Sequence, residues 1–321
     1  MTGPTSGRLR VAVIGGGTSG EHEVSLASAA SARAALDPSR YQSIDFTIGR
    51  DGTWVVSGTA CGVADAMTQL QRCDVALPLV HGAPGEDGSL SALCDFVGVP
   101  HTGPRLRAGA LAMDKVATKA LAAGLGIRVA AGEVIARGTQ PSPWTGPVVV
   151  KPASAGSSLG VSLVDVPETL SAACAAAAAH DSRGLIEEVL VGREIDLGVL
   201  RLSGGELVCG PPLEIVDDGF AGGVFGYADK YARHPDFRVP AALTAAETAA
   251  LTDAALRMAA ALESTGVIRV DFFLTEAGPV LNEVNTVPGF TDKSQVPLIF
   301  AAAGMPYPAL LDALIAAALS P

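Results

Sequence analysis

The stretch from Val267 to Thr291, VIRVDFFLTEAGPVLNEVNTVPGFT, holds two strand patterns, Val267–Leu274 and Pro279–Glu283. Side chains along a strand repeat with period two, so Arg269 and Asp271 leave the backbone on one face, and Glu283 and Asn285 do likewise. If the two strands pair, Asp271, Glu283 and Asn285 converge as three oxygen ligands. Hard oxygen donors that share a cation with substrate phosphates suit Mg2+. The competing reading is a pair of surface strands with ordinary salt bridges, and spacing alone leaves both open.

Working outward, the chain alternates strand and helix patterns. A strand at Arg10–Ile14 runs into the glycines Gly15–Gly17, and a helix pattern follows from Glu23 to Leu36. Strands at Ser43–Ile48 and Asp74–Val80 precede a turn, Gly82–Gly88, and a helix through Phe96. This β-α-β alternation predicts a parallel sheet with right-handed crossovers. His101-Thr102-Gly103-Pro104 marks a boundary. Helices at Leu106–Ala112 and Lys115–Ala123 follow, then strands at Val148–Val150 and Gly160–Val164 around the small-residue loop Ala153–Ser158. A helix at Pro167–His180 and a strand at Leu185–Leu190 close that region. A third begins near Val191, with strands at Glu194–Leu200 and Leu207–Cys209, an irregular stretch at Asp217–Pro240 and a long helix at Ala245–Glu263. The expectation is an α/β chain, α+β overall, in three units: 1–103, 104–190 and 191–321.

Composition narrows the function. With 22 basic and 33 acidic residues the net charge is −11, which argues against a general nucleic-acid binder. A single triphosphate is another matter, since a few lysines and a metal handle it. Five cysteines without a CxxC argue against zinc ribbons and thioredoxin-like chemistry and read as reduced thiols in a cytoplasmic protein. No apolar run approaches the ~20 residues of a membrane span.

Four motifs tempt and fail. Gly15–Gly20 satisfies GxGxxG, yet Glu21 and Glu23 stand where a dinucleotide pyrophosphate would approach, and Asp45 lies within its strand instead of at the end. Gly156–Gly160 satisfies GxSxG, but a strand follows where a hydrolase elbow needs a helix. None of the five lysines follows a glycine, which excludes a Walker A loop, and His22-Glu23 lacks the second histidine of a zinc protease.

The loop Ala153–Ser158, directly after Lys151-Pro152, has the small residues that close over phosphates through backbone N–H groups, or that make an ordinary turn. It does not stand alone. Gly16–Ser25, His81-Gly82 with Gly85–Gly88, Met113-Asp114-Lys115, Val150-Lys151-Pro152, Gly156-Ser157-Ser158, Glu187, Lys230-Tyr231, Arg269-Val270-Asp271 and Asn282–Thr291 occur in one order. In that order the chain resembles the D-alanine–D-alanine ligases of the ATP-grasp superfamily, from Val13 to about Leu314.

The resemblance implies a Rossmann-like parallel-sheet unit followed by two units that clamp ATP. It implies ATP as substrate, two Mg2+ ions (Mn2+ able to substitute), D-amino acids as small-molecule partners, no nucleic acid, no membrane and a homodimer. Lys115 and Lys151 would bind phosphates, with Ser158 in their loop and Lys230 at the γ-phosphate. Glu187 and the Val189-Leu190 backbone would recognise adenine, Glu194 the ribose, and Phe272 would supply an adenine-site wall while its neighbour Phe273 packs. Asp271, Glu283 and Asn285 would hold the metal. Glu21 would bind the ammonium of the first D-alanine, His81 would sit near a substrate carboxylate, and Ser294 would take the carboxylate of the second. Ser157 and Tyr231 would link the phosphate loop to a lid, Asp217–Pro240, that opens without ligand. Arg269 and the Gly289 N–H would stabilise the oxyanion. Lys119 is expected in solvent. Tyr231 favours an amine acceptor over D-lactate. Lys293 and Gln295 depart from the family pattern beside the acceptor pocket, and Gln295 is expected to face the acceptor side chain and admit D-serine secondarily. The activity implied is ligation of two D-alanines for peptidoglycan precursors. The alternatives are the same chemistry with D-serine, D-lactate or a secondary-metabolite amine, and nucleotide binding without turnover.

Overall fold

The computed structural model describes residues 7–216 and 236–320. Lys230, Tyr231 and most of the expected lid lie outside the described residues. Three sheets follow one another along the chain.

The first contains β1 (Leu9–Gly16), β2 (Tyr41–Ile48), β3 (Trp54–Val56), β4 (Thr59–Cys61) and β5 (Val75–Pro78), in the order β4-β3-β2-β1-β5. β1 runs parallel to β2 and β5, with α1 (His22–Ala35) as the crossover. Val11 to Ile14 are buried on both faces, as an uninterrupted apolar run requires. The expected parallel sheet needs one correction: β2–β3 and β3–β4 are antiparallel, so one edge is a meander. α2 (Val63–Leu70) and α3 (Ser89–Phe96) complete this region. The glycine run serves packing. A Cβ on Gly15 would lie 2.6 Å from the Ala29 Cβ of α1, and one on Gly16, at φ +82°, 2.2 Å from the Ile48 carbonyl oxygen. Only glycine allows so close an approach in that conformation.

Next come α4 (Leu106–Met113) and α5 (Lys115–Gly124), then an antiparallel sheet of β6 (Gly132–Ala136), β7 (Val148–Pro152), β8 (Ser162–Val164) and β9 (Arg183–Glu188), ordered β6-β9-β7-β8. α6 (Leu170–Ala178) packs Leu170, Ala173 and Ala177 against Val150, Val164 and Ile186.

The third sheet has β10 (Arg193–Arg201), β11 (Leu207–Cys209), β12 (Leu213–Val216), β13 (Asp236–Arg238), β14 (Val267–Thr275) and β15 (Gly278–Asn285). The order is β13-β12-β10-β14-β15, with β11 on the far part of β10. The stretch expected to be irregular through Pro240 therefore ends in a strand, β13, paired with β12. α7 (Ala245–Ala261) opens with a Thr244–Glu247 capping box. α8 (Gln295–Ala302) and α9 (Tyr307–Leu319) close the chain.

Two cores tie the regions together. Val11, Val13 and Leu77 of the first sheet share one with Phe300, Leu310 and Leu314 of the last helices. Ala108, Ala112 and Ala122 of α4 and α5 join Ile268, Val270 and Leu281 of the third sheet in another. Truncating one such leucine, Leu310→Ala, would cost ~2–5 kcal/mol.

Candidate active site

β14 and β15 pair antiparallel, with Asp271 opposite Glu283 and Arg269 opposite Asn285. The same period of two that groups Arg269 with Asp271 puts Phe273 on the site face and turns Phe272 inward. Phe272 is fully buried in the core, whereas Phe273 lines the cleft beside β15. The aromatic wall expected of Phe272 is thus corrected to Phe273. Asp271 faces Glu283 but Phe272 faces Leu281, so Asn282 is the extra residue of a bulge. The bulge breaks the alternation and lets Asn282 and Glu283, adjacent in sequence, both line the cleft.

That cleft lies between the second and third sheets and encloses about 820 Å³, its open mouth included. Lys115 enters from the first turn of α5, where Asp114 caps the helix. Its Nζ donates to the Ala155 carbonyl at 2.8 Å and lies 3.1 Å from Glu283 Oε2. Lys151 on β7 reaches Glu187 Oε2 at 2.8 Å and Asn282 Oδ1 at 3.2 Å. Lys119, expected in solvent, is buried one helical turn beyond Lys115, with its Nζ 2.7 Å from Glu187 Oε1. Burial, with Lys151 close by, pulls the Lys119 ammonium down to about 8. Burial alone would push Glu187 up, but Lys151 and Lys119 together hold its carboxyl below the ordinary value. Three ammonium groups thus face two carboxylates, an arrangement with spare positive charge for a polyphosphate. Ser158, Val189, Leu190 and Glu194 line the same cleft. Glu187 lines it too, but its carboxylate carries two lysines, and that makes it their anchor.

The loop after β7 joins this cleft to the first region. Ser157 and Ser158 are left-handed, at φ +50° and +56°, a strained conformation for two consecutive non-glycine residues. The Ser157 hydroxyl donates to the Glu21 carboxylate at the start of α1.

At the other end of the β14 face, Arg269 donates from Nε and Nη2 to the two oxygens of Asp271, at 2.7 and 2.8 Å. Its Nη1 donates to Gln295 Oε1 at 2.8 Å. Asn285 Nδ2 donates to Asp271 Oδ2 at 2.8 Å. Burial works against the guanidinium charge, but Asp271, then Asp196 and Glu283, hold it well above the ordinary arginine value. Gln295 was expected to face the acceptor; its amide lies between Arg269 and Asp196 instead. Ser294 stands at the N-terminal boundary of α8 without a side-chain bond to the helix, and its Oγ accepts from the Thr291 N–H at 3.0 Å. A Cβ on Gly289 would come within 3.3 Å of that Oγ, so the two expected substrate contacts are neighbours.

His81 differs from expectation. Its Nδ1 donates to the Val287 carbonyl at 2.7 Å, so Nε2 is the acceptor and takes the Ser28 hydroxyl at 2.9 Å. Burial holds its pKa down and the ring is neutral. With both nitrogens engaged, His81 braces the Val287–Phe290 turn against α1. Glu86, of the Gly85–Gly88 turn, is buried beside it, with Oε1 4.0 Å from His81 Nδ1. Burial, reinforced by Glu21, pushes its carboxyl up to about 8.

Sequence reading missed Lys119, Asn282, Phe273, Glu86 and Asp196. Strand period was a sufficient signal for Phe273 alone. For a metal, Asp271, Glu283 and Asn285 offer two carboxylates and an amide, all hard donors. Among the described residues no group of three or more His, Cys, Asp or Glu is arranged to hold an ion. Two carboxylates and one amide would leave the remaining positions of an octahedral cation to phosphate and water.

Two antiparallel sheets closing on a lysine-lined cleft, behind a Rossmann-like unit, define an ATP-dependent ligase of the ATP-grasp type. The D-ala D-ala ligase N-terminus family matches residues 10–69 and the D-ala D-ala ligase C-terminus family residues 140–316. The D-alanine–D-alanine ligase of Rhodococcus jostii is 37% identical, covering 98% of this chain and 97% of its own. That of Nocardia farcinica is also 37% identical, over 98% of both. Among solved structures, the VanG D-Ala:D-Ser ligase of Enterococcus faecalis superposes with a TM-score of 0.85 at 31% identity, covering 97% of this chain and 100% of that one. The Bacillus anthracis D-alanine–D-alanine ligase complexed with ATP gives 0.80 at 26% identity, covering 97% of each chain. The chain belongs to the D-alanine–D-alanine ligase family.

Proposed function

We propose that the chain joins two D-alanine molecules into D-alanyl-D-alanine at the expense of ATP. The observation that carries this reading is one strand pair, β14 and β15, that borders a lysine-lined cleft through Phe273, Asn282 and Glu283 and, further along the same face, carries a charged arginine held by Asp271. A carboxylate is a poor acyl donor. Transfer of the γ-phosphate onto it gives an acyl phosphate with a good leaving group, and the transferring phosphoryl group spreads negative charge over its oxygens. Lys115 and Lys151 meet that charge, while Lys119 and Glu187 hold Lys151 in place. Asp271, Glu283 and Asn285 would hold Mg2+, or Mn2+ in its stead, which when bound neutralises phosphate charge. Glu21, tied to the phosphate loop through Ser157, receives the ammonium of the first D-alanine. The amine of the second attacks the acyl carbon, and its carboxylate lies against Ser294. Arg269 and the Gly289 N–H stabilise the tetrahedral oxyanion, whose collapse releases phosphate. Loss of one such donor costs about 10²–10³ in turnover. The roles expected of Lys230 and Tyr231 rest on the family resemblance.

The product suits a peptidoglycan precursor, made in the cytoplasm by a homodimer. No single helix among the described residues is long and apolar enough to cross a membrane. A second reading, D-serine as acceptor, is favoured by the likeness to a D-Ala:D-Ser ligase. The test is phosphate release with ATP, Mg2+ and D-alanine, followed by product mass with D-alanine, D-serine and D-lactate as acceptors. D-alanyl-D-alanine is the expected main product. Release no greater than with L-alanine would overturn the reading.

A further inference from the structure

We infer that Gln295 is a positioning residue for the oxyanion arginine, and that it acts by deciding which of two carboxylates holds Arg269. The inference rests on the ligase reading above.

Asp196 on β10 and Asp271 on β14 stand directly opposite each other across the strand pair. Both are almost fully buried, Asp196 at 1% exposure and Asp271 at 4%. Like charges so placed repel, and each competes for the guanidinium between them. Arg269 Nε is 2.7 Å from Asp271 Oδ1 and 3.5 Å from Asp196 Oδ2, so Asp271 is the nearer partner and Asp196 the more distant one. Gln295, the first residue of α8, enters this contest with one amide. Its Nε2 donates to Asp196 Oδ2 at 2.6 Å, and its Oε1 accepts from Arg269 Nη1 at 2.8 Å. The reverse orientation of the amide would set its NH2 against a cation and its oxygen against an anion, so chemistry fixes the assignment.

The amide therefore satisfies the Asp196 oxygen that would otherwise draw the guanidinium away, and steadies the opposite side of the fork. Three of the five guanidinium N–H groups are held in this way, two by Asp271 and one by Gln295. The two that remain, one on Nη1 and one on Nη2, are oriented before substrate arrives. An aliphatic residue at 295 has neither the donor nor the acceptor. Gln295 so placed turns both ends of its amide to Asp196 and Arg269 instead of to an acceptor side chain.

The experiment compares wild type with Gln295→Leu, Gln295→Glu and the double variant Gln295→Glu/Asp196→Asn. Gln295→Leu is expected to lower kcat on the order of 10²-fold, the scale of an ångström-sized misplacement. KM for either D-alanine should change less than about threefold, and the D-alanine to D-serine preference should not move. Gln295→Glu should be at least as poor, because it sets a carboxylate against Asp196. The double variant exchanges the two groups: the amide now stands at position 196 and donates, and the carboxylate stands at position 295 and accepts. Turnover should then recover at least ~10-fold over Gln295→Glu. An unchanged kcat in Gln295→Leu, a shifted acceptor preference or no recovery in the double variant would each overturn the inference. Wild-type phosphate release with D-alanine tests the ligase reading separately. Should that fail, a crystal structure of Gln295→Leu still decides: Arg269 swung onto Asp196 supports the contest, and an unmoved guanidinium refutes it.

Discussion

The two ends of the β14–β15 face manage charge in opposite ways. At the nucleotide end three lysines share Glu187 and Glu283, with ammonium groups on long stems that exchange partners readily. At the acyl end one arginine is gripped by Asp271 on one edge and Gln295 on the other. The difference follows from what each end must do. A polyphosphate arrives with its own charge and displaces carboxylates from lysines. An oxyanion exists only in passing, so its donor has to be in place beforehand.

The largest effect should come from Asp271→Asn, because Asp271 grips Arg269 and, in the proposed reaction, would also contribute a carboxylate to the cation. Ligation should fall below detection while the thermal transition stays cooperative. Glu283→Gln, which touches the lysine end through Lys115, should also abolish ligation at ordinary Mg2+. Near-normal turnover in both variants would reject the metal assignment. Turnover lost in Asp271→Asn alone would assign its effect to the arginine grip.

A smaller effect is expected at Lys119. Lys119→Met removes one of the two cations on Glu187 and leaves Lys151 to carry it alone. Lys151 should then be pulled toward Glu187 and meet phosphate less well. KM for ATP should rise ~10-fold with kcat within about threefold, and stability should fall by ~1–3 kcal/mol, less than for a buried charge left unpaired. An equal loss of kcat would mean that the lysine end is as rigidly set as the arginine end, and the contrast would fail.

This contrast was only half legible in the sequence. Arg269, Asp271, Glu283 and Asn285 were readable because strand period links them through the backbone. Lys119 was not, since its partner Glu187 is 68 positions away and a lysine four residues from Lys115 looks like a solvated helix face. Asn282 was hidden by the bulge, which suspends the alternation used to read β15. In the fold, β1, α1 and β2 announced themselves through apolar runs and helical spacing. The β3–β4 hairpin did not: each strand has three residues, too few for a period, and the signal is confined to Ser57-Gly58, both at positive φ. Gln295 was placed near the right chemistry but facing the wrong group, because nothing in the sequence puts Asp196 across from Asp271.

The smallest effect sharpens the arginine end through Glu86, whose carboxyl feels Glu21, Arg269 and Glu283. Its folded value is about 8 against an ordinary 4.5. Between those values the folded chain keeps a proton that the unfolded chain has released. The contribution of Glu86 to stability is therefore complete below pH 4.5 and is lost as pH rises through about 8. His81 runs the other way: its folded value lies below 6.5, so its contribution is present above 6.5 and lost in acid. Glu86→Gln keeps the side-chain shape and a donor without the titration. Urea unfolding between pH 5 and 9 should show the alkaline decline of the wild type flattened by ~1–3 kcal/mol in the variant, with the acid limb unchanged. Parallel profiles above pH 6 would mean that Glu86 is ionised in the fold. Arg269 would then face a third buried carboxylate, and a grip shared among three acceptors would no longer be the fixed one that sets this end apart from the lysines.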